Sequence, residues 1–174
     1  MTTVHPETFD LVFYDASEIG RVLDEVAAKI PGLPDDLDVT VEVDEDKPNT
    51  RVGVRSIDPV ELHVESGALE NLKAPRSFGE AAAAATFARL LLEVRDRLDP
   101  AFGAPPTDEE LSQADAISWA VYCYGRATRL GFRIFKPKYR YDFRNRHGFT
   151  DSADADYERL WSAEDLTWIE VTGG

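Results

Sequence analysis

The sequence has little cysteine and little histidine, and both shortages limit the chemistry that the chain can carry. Cys123 is the one cysteine, so no disulfide can form within the chain. The three histidines, His5, His63 and His147, are far apart, so the zinc motif His-Glu-X-X-His is absent. The glycine-rich loop that binds phosphates and the Gly-X-Ser-X-Gly motif of serine hydrolases are absent as well. We therefore predict no catalytic residue and no cofactor, and the sequence favours a protein that is not an enzyme.

Long apolar runs are also missing, and basic residues are fewer than acidic ones. No run approaches the ~20 apolar residues that are needed to cross a bilayer. The start of the chain, Met1 to Pro6, has neither a basic nor an apolar stretch, so we predict no signal peptide, no membrane contact and a cytoplasmic protein. The 33 acidic and 19 basic residues give a net charge of −14, which disfavours nucleic acid as a partner. The same charge suits a cationic ligand or a basic partner, or it only keeps the protein in solution.

The chain nevertheless contains enough apolar sequence for a folded domain. Hydrophobic residues make up 43% of its 174 residues, which is typical of a globular protein. A chain of this length buries roughly 70% of the surface that it exposes when unfolded. Because the sequence shows no internal repeat and no linker, we predict a single α+β domain over residues 1–174.

Three main helices follow from the spacing of apolar residues and from capping signals. Between residues 17 and 30 the apolar residues recur at i, i+3, i+4 and i+7, which is one face of a helix. Ser77 with Glu80, and Thr107 with Glu110, have the spacing of capping boxes, in which each side chain satisfies a backbone N–H of the other residue. We therefore predict helices at 17–30, 77–98 and 107–130.

Strict alternation of apolar and polar residues predicts the strands. The alternation covers 39–44, 52–55 and 60–65, and we expect these strands to form an antiparallel meander with one wet face. In the C-terminal part we predict strands at 132–135, 139–143 and 166–171 and a short helix at 154–161. The predicted fold class is α+β, a two-layer, mostly antiparallel sheet with the three main helices packed on one face.

The segment from Arg126 to His147 has the opposite charge to the rest of the chain. It contains eight basic residues and one acid, a net charge of +7, whereas the remainder carries −21. The basic residues are Arg126, Arg129, Arg133, Lys136, Lys138, Arg140, Arg144 and Arg146. Aromatic residues lie between them, and guanidinium and aromatic groups together recognise anionic groups. We predict that this basic segment binds an anionic small ligand or the acidic surface of a partner, which includes a second copy of the chain.

A second interpretation of the basic segment is structural, and the sequence leaves both open. On a strand, the aromatic residues of one face would be core, namely Tyr139, Tyr141 and Phe143. The charged residues of the other face would be Lys138, Arg140 and Arg144. They would pair with the chain's own acids, such as Asp151, Asp154 and Asp156.

Two enzymatic alternatives rest on single residues. Glu61, His63 and Glu65 share one face of a predicted strand, and imidazole and carboxylate groups are ligands for zinc, manganese or iron. Side chains two residues apart on a strand splay, so this weak alternative for a metal site needs a further ligand from elsewhere. Cys123 is a candidate nucleophile only if a base and a positive charge lie beside it, and otherwise it is a packed residue.

The order of the predicted elements resembles the layout of minimal zincin-like metallopeptidase domains. The residues that carry the resemblance are Leu23 to Pro31 and Leu37 to Val43, and it extends as far as the 77–98 helix. The active-site helix of that family would fall on 77–98, where this chain has alanines and no histidine. The resemblance therefore implies the fold without the metal ligands.

Together these observations predict a non-catalytic binding or interaction module whose contact surface is the basic segment. The alternative is a metal-dependent hydrolase or a degenerate zincin-like enzyme that uses His63 and nearby carboxylates.

Overall fold

Strands occupy the N-terminal part of the chain and helices dominate the C-terminal part. The computed structural model describes residues 2–173. Its strands are β1 (Thr2–His5), β2 (Val39–Asp44), β3 (Val52–Ile57), β4 (Val60–Glu65), β5 (Glu70–Asn71) and β6 (Ala74–Phe78). Its α-helices are α1 (Ala16–Ala27), α2 (Glu80–Leu98), α3 (Gln113–Arg129), α4 (Lys136–His147), α5 (Asp151–Ser162) and α6 (Trp168–Thr172). The predicted α+β class is confirmed.

The chain divides into two compact units, Met1–Arg95 and Asp96–Gly174. The first unit contains all the described strands and α1, and the second contains α3 to α6, while α2 continues across the boundary. The prediction of a single domain over residues 1–174 stays a prediction.

The main sheet has the strand order β1-β2-β4-β3 and is mixed. β1 and β4 both pair with β2 in parallel, and β3 alone is antiparallel, to β4. The predicted antiparallel meander and the mostly antiparallel sheet are therefore wrong. β4 lies between β2 and β3 because its apolar residues are fully buried, whereas β3 carries the exposed Arg55 at a bulge and suits an edge. The loop 45–51 is long enough to carry the chain from β2 past β4.

One face of the main sheet forms the core of the first unit. Val41, Leu62 and Val64 on this face are fully buried, which confirms the predicted alternation. Helix α1 packs on β1 and buries Ile19, Val22, Leu23 and Val26, the face that its periodicity predicted. It begins where the Asp15 side chain accepts hydrogen bonds from the backbone N–H groups of Ser17 and Glu18.

Neither predicted capping box begins a helix. Ser77 lies in β6 and bridges Phe13, so α2 begins only at Glu80. Thr107 and Glu110 do bond, with 2.9 Å between Thr107 Oγ1 and Glu110 Oε2, but they close an isolated turn. Helix α3 begins at Gln113, where the Ser112 side chain accepts from the backbone N–H of Asp115.

The C-terminal strands that the sequence predicted are also wrong. Residues 139–143 lie within α4, which has Pro137 in its first turn, where the missing N–H of proline has no helical partner to lose. Residues 132–135 form no strand, and most of 166–171 belongs to α6, which Thr167 and Glu170 begin with a complete capping box. The predicted helix at 154–161 is confirmed within α5. Five helices of twelve or more residues thus replace the three main helices expected.

Helix α3 is the centre of the second unit. It contacts α4, α5 and α6, with Tyr124 stacked on Tyr139 at 3.8 Å between ring centroids. Gly125 allows the closest approach, because a Cβ atom there would lie 2.0 Å from the backbone oxygen of Trp161 in α5. Within residues 2–173 no helix is long and apolar enough to cross a bilayer.

We expect Gly125→Ala to destabilise the protein by about 1–3 kcal/mol, because the added methyl group overlaps backbone that cannot rotate away. The matched control is Gly20→Ala in α1. Its Cβ would lie 3.7 Å from Thr2 Cγ2, an ordinary contact, so the gain in helix propensity stabilises by about 0.5–1 kcal/mol. Urea unfolding followed by circular dichroism measures both. Equal stabilities of Gly125→Ala and the unsubstituted protein would contradict the close approach of α3 and α5.

Candidate functional site

Arg126, the first residue of the basic segment, forms a buried ion pair. Arg126 is 3% exposed and places Nη1 at 2.7 Å and Nη2 at 2.6 Å from the two carboxylate oxygens of Asp96. Trp119 Nε1 donates to the same carboxylate at 2.8 Å, and the Arg126 guanidinium lies 3.9 Å from the Tyr122 ring centroid. Burial alone would lower the pKa of Arg126, but Cys123 and Asp96 beside it raise that pKa above its ordinary value. Arg126 is therefore a structural cation and has no access to a ligand.

Four other basic residues of the segment form ion pairs with acids of the same unit. Three of them lie on the inner side of α4, and one lies at the end of α3. Arg140 Nη2 lies 2.7 Å from Asp154 Oδ2, and Arg144 Nε lies 2.7 Å from Asp154 Oδ1. Lys136 Nζ lies 2.7 Å from Glu158 Oε2, in α5. The remaining member, Arg129, binds the Glu164 carboxylate and the backbone oxygens of Trp161 and Ala163. These pairs attach α4 and the residues after α5 to the rest of the unit, as the structural interpretation expected for Arg140 and Arg144.

The pair of arginines changes the acidity of Asp154. Hydrogen bonds from Arg144 and Arg140 hold the pKa of this carboxyl well below its ordinary value. The Asp154 side chain is 21% exposed, so water still screens part of the interaction.

Large aromatic side chains are exposed on α4 and on the residues that flank it. Phe135 is 69% exposed, Tyr141 59% and Phe149 64%. Tyr141 and Phe149 meet edge to face with ring centroids 6.1 Å apart. We call Phe135, Tyr141 and Phe149 the aromatic face. Phe143, by contrast, is buried, so the expectation that Tyr141 and Phe143 share a core face is wrong, because a helix separates residues that a strand would align.

Two basic residues of the segment form no ion pair within residues 2–173. Arg133 precedes α4 and Arg146 lies in its last turn, both are exposed, and neither forms an ion pair with any residue between 2 and 173. Lys138, on the same side, is paired with Asp142 at 2.9 Å. Of the eight basic residues predicted to bind a partner, Arg133 and Arg146 are thus the ones that retain an open guanidinium.

The carboxylate and imidazole groups of β4 do not converge. Arg55 Nη2 lies 2.9 Å from His63 Nδ1, so that nitrogen accepts a hydrogen bond from a cation. Partial burial, and next the charge of Arg55, hold the pKa of His63 below its ordinary value. Glu65 is buried and accepts from the backbone N–H of Arg51 at 3.1 Å, whereas Glu61 is exposed. In the described part of the chain no group of three or more histidine, cysteine, aspartate or glutamate side chains could hold a metal ion.

Cys123 and His147 lie in different environments, so they do not form a nucleophile and base. Cys123 is fully buried, with its sulfur 3.3 Å from Arg126 Nη2. His147 Nε2 lies 3.0 Å from Ser118 Oγ and 3.2 Å from the backbone oxygen of Ala114. Because a carbonyl oxygen only accepts, Nε2 carries the proton and is not a base toward Ser118. This Ser118–His147 contact has no local signal in the sequence, because the two residues lie 29 positions apart.

Comparisons of the chain with protein-family models, with curated proteins and with solved structures find no match. The resemblance to zincin-like domains stays a prediction. The candidate site therefore rests on geometry alone, and the aromatic face with Arg133 and Arg146 is its most distinctive feature.

We expect Asp96→Asn to destabilise the protein by about 3–5 kcal/mol, because it leaves the buried Arg126 without its counter-charge. Glu158→Gln, which breaks the exposed pair with Lys136, is the control and should cost no more than about 1 kcal/mol. Urea unfolding compares the two variants. Replacing both partners, as Asp96→Leu with Arg126→Met, should restore much of the loss, and a loss equal to that of Asp96→Asn would contradict this account.

The lowered pKa of Asp154 predicts a pH-dependent contribution to stability. The contribution is fully present above the unfolded-state pKa of about 3.9 and is lost as the pH falls through the lower folded-state pKa. The stability difference between the unsubstituted protein and Asp154→Asn should therefore shrink as the pH falls below about 4. Urea unfolding between pH 7 and pH 2 measures it. Asp156→Asn, which removes a carboxylate 3.8 Å from Arg159, serves as the control with a small effect at every pH. A constant difference for Asp154→Asn would refute the prediction.

Proposed function

We propose that this chain is a non-catalytic interaction module that binds an acidic protein segment through the aromatic face and the two flanking arginines, Arg133 and Arg146. The observation that carries the proposal is the exposure of Phe135, Tyr141 and Phe149 on α4 and its flanks, with Tyr141 and Phe149 in contact. Large aromatic side chains each bury roughly 150–250 Å² when covered, and they are enriched at protein interfaces.

Charge supports an acidic partner. The arginine guanidinium forms forked hydrogen bonds with carboxylates, and Arg133 and Arg146 have no internal acid to satisfy them among residues 2–173. The bases on the inner side of α4 are used internally, so they contribute structure and not recognition. A complementary segment would offer carboxylates at its ends and apolar side chains between them.

A protein segment fits this surface better than nucleic acid or a free anion. Nucleic acid carries a negative charge at every phosphate, so the net charge of −14 repels it more strongly than a protein segment with a few carboxylates and apolar side chains between them. A small anion needs several donors that converge on one point, and most basic groups of the segment are already paired. The rest of the chain carries −21 outside the basic segment, so a second copy is an acidic partner within the same proposal.

The test measures the binding of a defined acidic probe, a fluorescent helical peptide with alternating turns of glutamate and leucine. We expect saturable binding that weakens as salt rises, because the contact is partly electrostatic. Arg133→Glu with Arg146→Glu should weaken it by about tenfold or more, and so should alanine at Phe135, Tyr141 and Phe149 together. Fluorescence anisotropy reports the affinity, and circular dichroism checks that each variant is folded.

Matched controls come from the first unit. Phe13→Ala removes an aromatic residue that is 73% exposed, and Lys73→Glu reverses an exposed charge. Both should leave the affinity within about twofold. The proposal fails if these controls weaken binding as much as the α4 variants do, or if inorganic phosphate displaces the peptide. Sedimentation velocity on the unsubstituted protein tells whether a second copy occupies the surface, in which case the α4 variants are monomeric.

A further inference from the structure

The first unit has an open sheet edge that the proposed function does not use. β1 is the outermost strand of the main sheet, and β2 is its only strand neighbour within residues 2–173. In a parallel pair, alternate residues direct their backbone N–H and C=O groups away from the neighbour. An edge of this kind is a template on which another strand can add.

A groove runs between this edge and α1. One cavity of about 480 Å³ is lined by Thr2 and Val4 of β1 and by the small residues Ala16, Ser17 and Gly20 of α1. A second cavity, of about 450 Å³, continues the groove toward Leu33 and Leu37. Both cavities share Thr2 and Asp24, whose side chains are joined by a hydrogen bond of 2.5 Å. We call this the β1 groove.

The charge of the β1 groove selects its occupant. Its lining contains three acids, Asp24, Glu25 and Asp35, and one base, Arg21. Arg21 is engaged by Glu25 at 2.7 Å and by Glu80 at 3.3 Å. Within the described residues the carboxylate of Asp24 receives a hydrogen bond only from the neutral Thr2 hydroxyl, so no cation there neutralises its charge.

We propose that the β1 groove binds an extended basic peptide, which adds to the sheet as a strand beside β1. Backbone hydrogen bonds to β1 supply affinity, as in other cases of strand addition. Alternate side chains of the peptide point toward α1, where the apolar lining takes a β-branched residue and Asp24 takes a lysine or arginine. β1 has four residues, so the peptide that it can pair is about four to six residues long.

A second copy of the chain is a poorer occupant than a basic peptide. If β1 paired with the β1 of another copy, two acidic grooves would lie side by side, and like charges there repel. The strand itself, Thr2-Thr3-Val4-His5, offers no lysine or arginine to Asp24.

The experiment is an NMR titration of the full chain with the hexapeptide Val-Val-Lys-Lys-Val-Val, in which each face of the extended strand carries one lysine between two valines. We expect amide shift changes confined to β1 and to the groove lining within residues 16–39, together with slower amide exchange in β1. A matched peptide with glutamate in place of lysine should bind about tenfold more weakly or not at all. The valine–lysine peptide with N-methylated valines keeps its charge but lacks the strand donors, and it should also bind about tenfold more weakly.

Two variants test the groove itself. Gly20→Leu places a side chain in the cavity from a half-buried helix position and should weaken binding about tenfold, while circular dichroism shows that the fold is kept. Asp24→Asn keeps an acceptor for Thr2 but removes the charge, and should weaken binding about threefold or more. Asp36→Asn removes an acid that is exposed and outside the groove, so it should change nothing.

Any of three results would overturn the proposal. The first is shift changes away from β1 and residues 16–39, and the second is equal affinity for the glutamate and lysine peptides. The third is a dimer through the β1 edge, seen by sedimentation velocity and abolished by Gly20→Leu. Because this groove lies in the first unit, the outcome is independent of the test on the aromatic face.

Discussion

The second unit depends on one buried interaction, the ion pair between Asp96 and Arg126. Removing two charges from water is costly, and the cost is offset here because the carboxylate accepts three hydrogen bonds, two from Arg126 and one from Trp119. Both donors belong to α3, so the pair fixes the rotation and register of that helix. α3 then presents Tyr124 to α4, Gly125 to α5 and Trp119 to α6. The positions of the three later helices, and with them the aromatic face, follow from this pair.

When the charged segment forms a helix, its two sides take different roles. On the inner side of α4, Arg140 and Arg144 share one carboxylate and attach the helix to α5. Tyr141 and Phe149 stay exposed beside each other, and Arg133 and Arg146 form no ion pair within residues 2–173. In the sequence the eight basic residues look alike, but in the folded chain most of them form internal ion pairs and few remain to bind a partner. Counting charges along a chain therefore overstates the size of a binding surface.

The sequence predicted elements whose signals are local. The sequence predicts α1 because its apolar face recurs with a helical period, and it predicts β2 to β4 because each alternates strictly. It does not predict the strand order, which depends on which strand is most deeply buried and not on which is next in sequence. It does not predict α4 either, because alternating aromatic and basic residues imitate a strand, whereas Pro137 lies in the first turn of the helix. The pairing of Arg140 and Arg144 with Asp154 was anticipated as one alternative. The bond from Arg126 to Asp96 was not, because 30 positions separate the two residues.

The placement of β1 has a consequence for how the first unit assembles. β3 and β4 are joined by a two-residue turn, and hairpins of this kind form within microseconds. Thr2 pairs with Val39 only when a long intervening segment, which includes the whole of α1, brings the two strands together. Contacts that close a long loop form late in folding, and little free energy is needed to open them again. We therefore expect β1 to be the last strand to join the sheet and the first to leave it. The β1 strand that borders the groove would therefore separate from the sheet before the other strands do. A ligand in the groove would slow this separation.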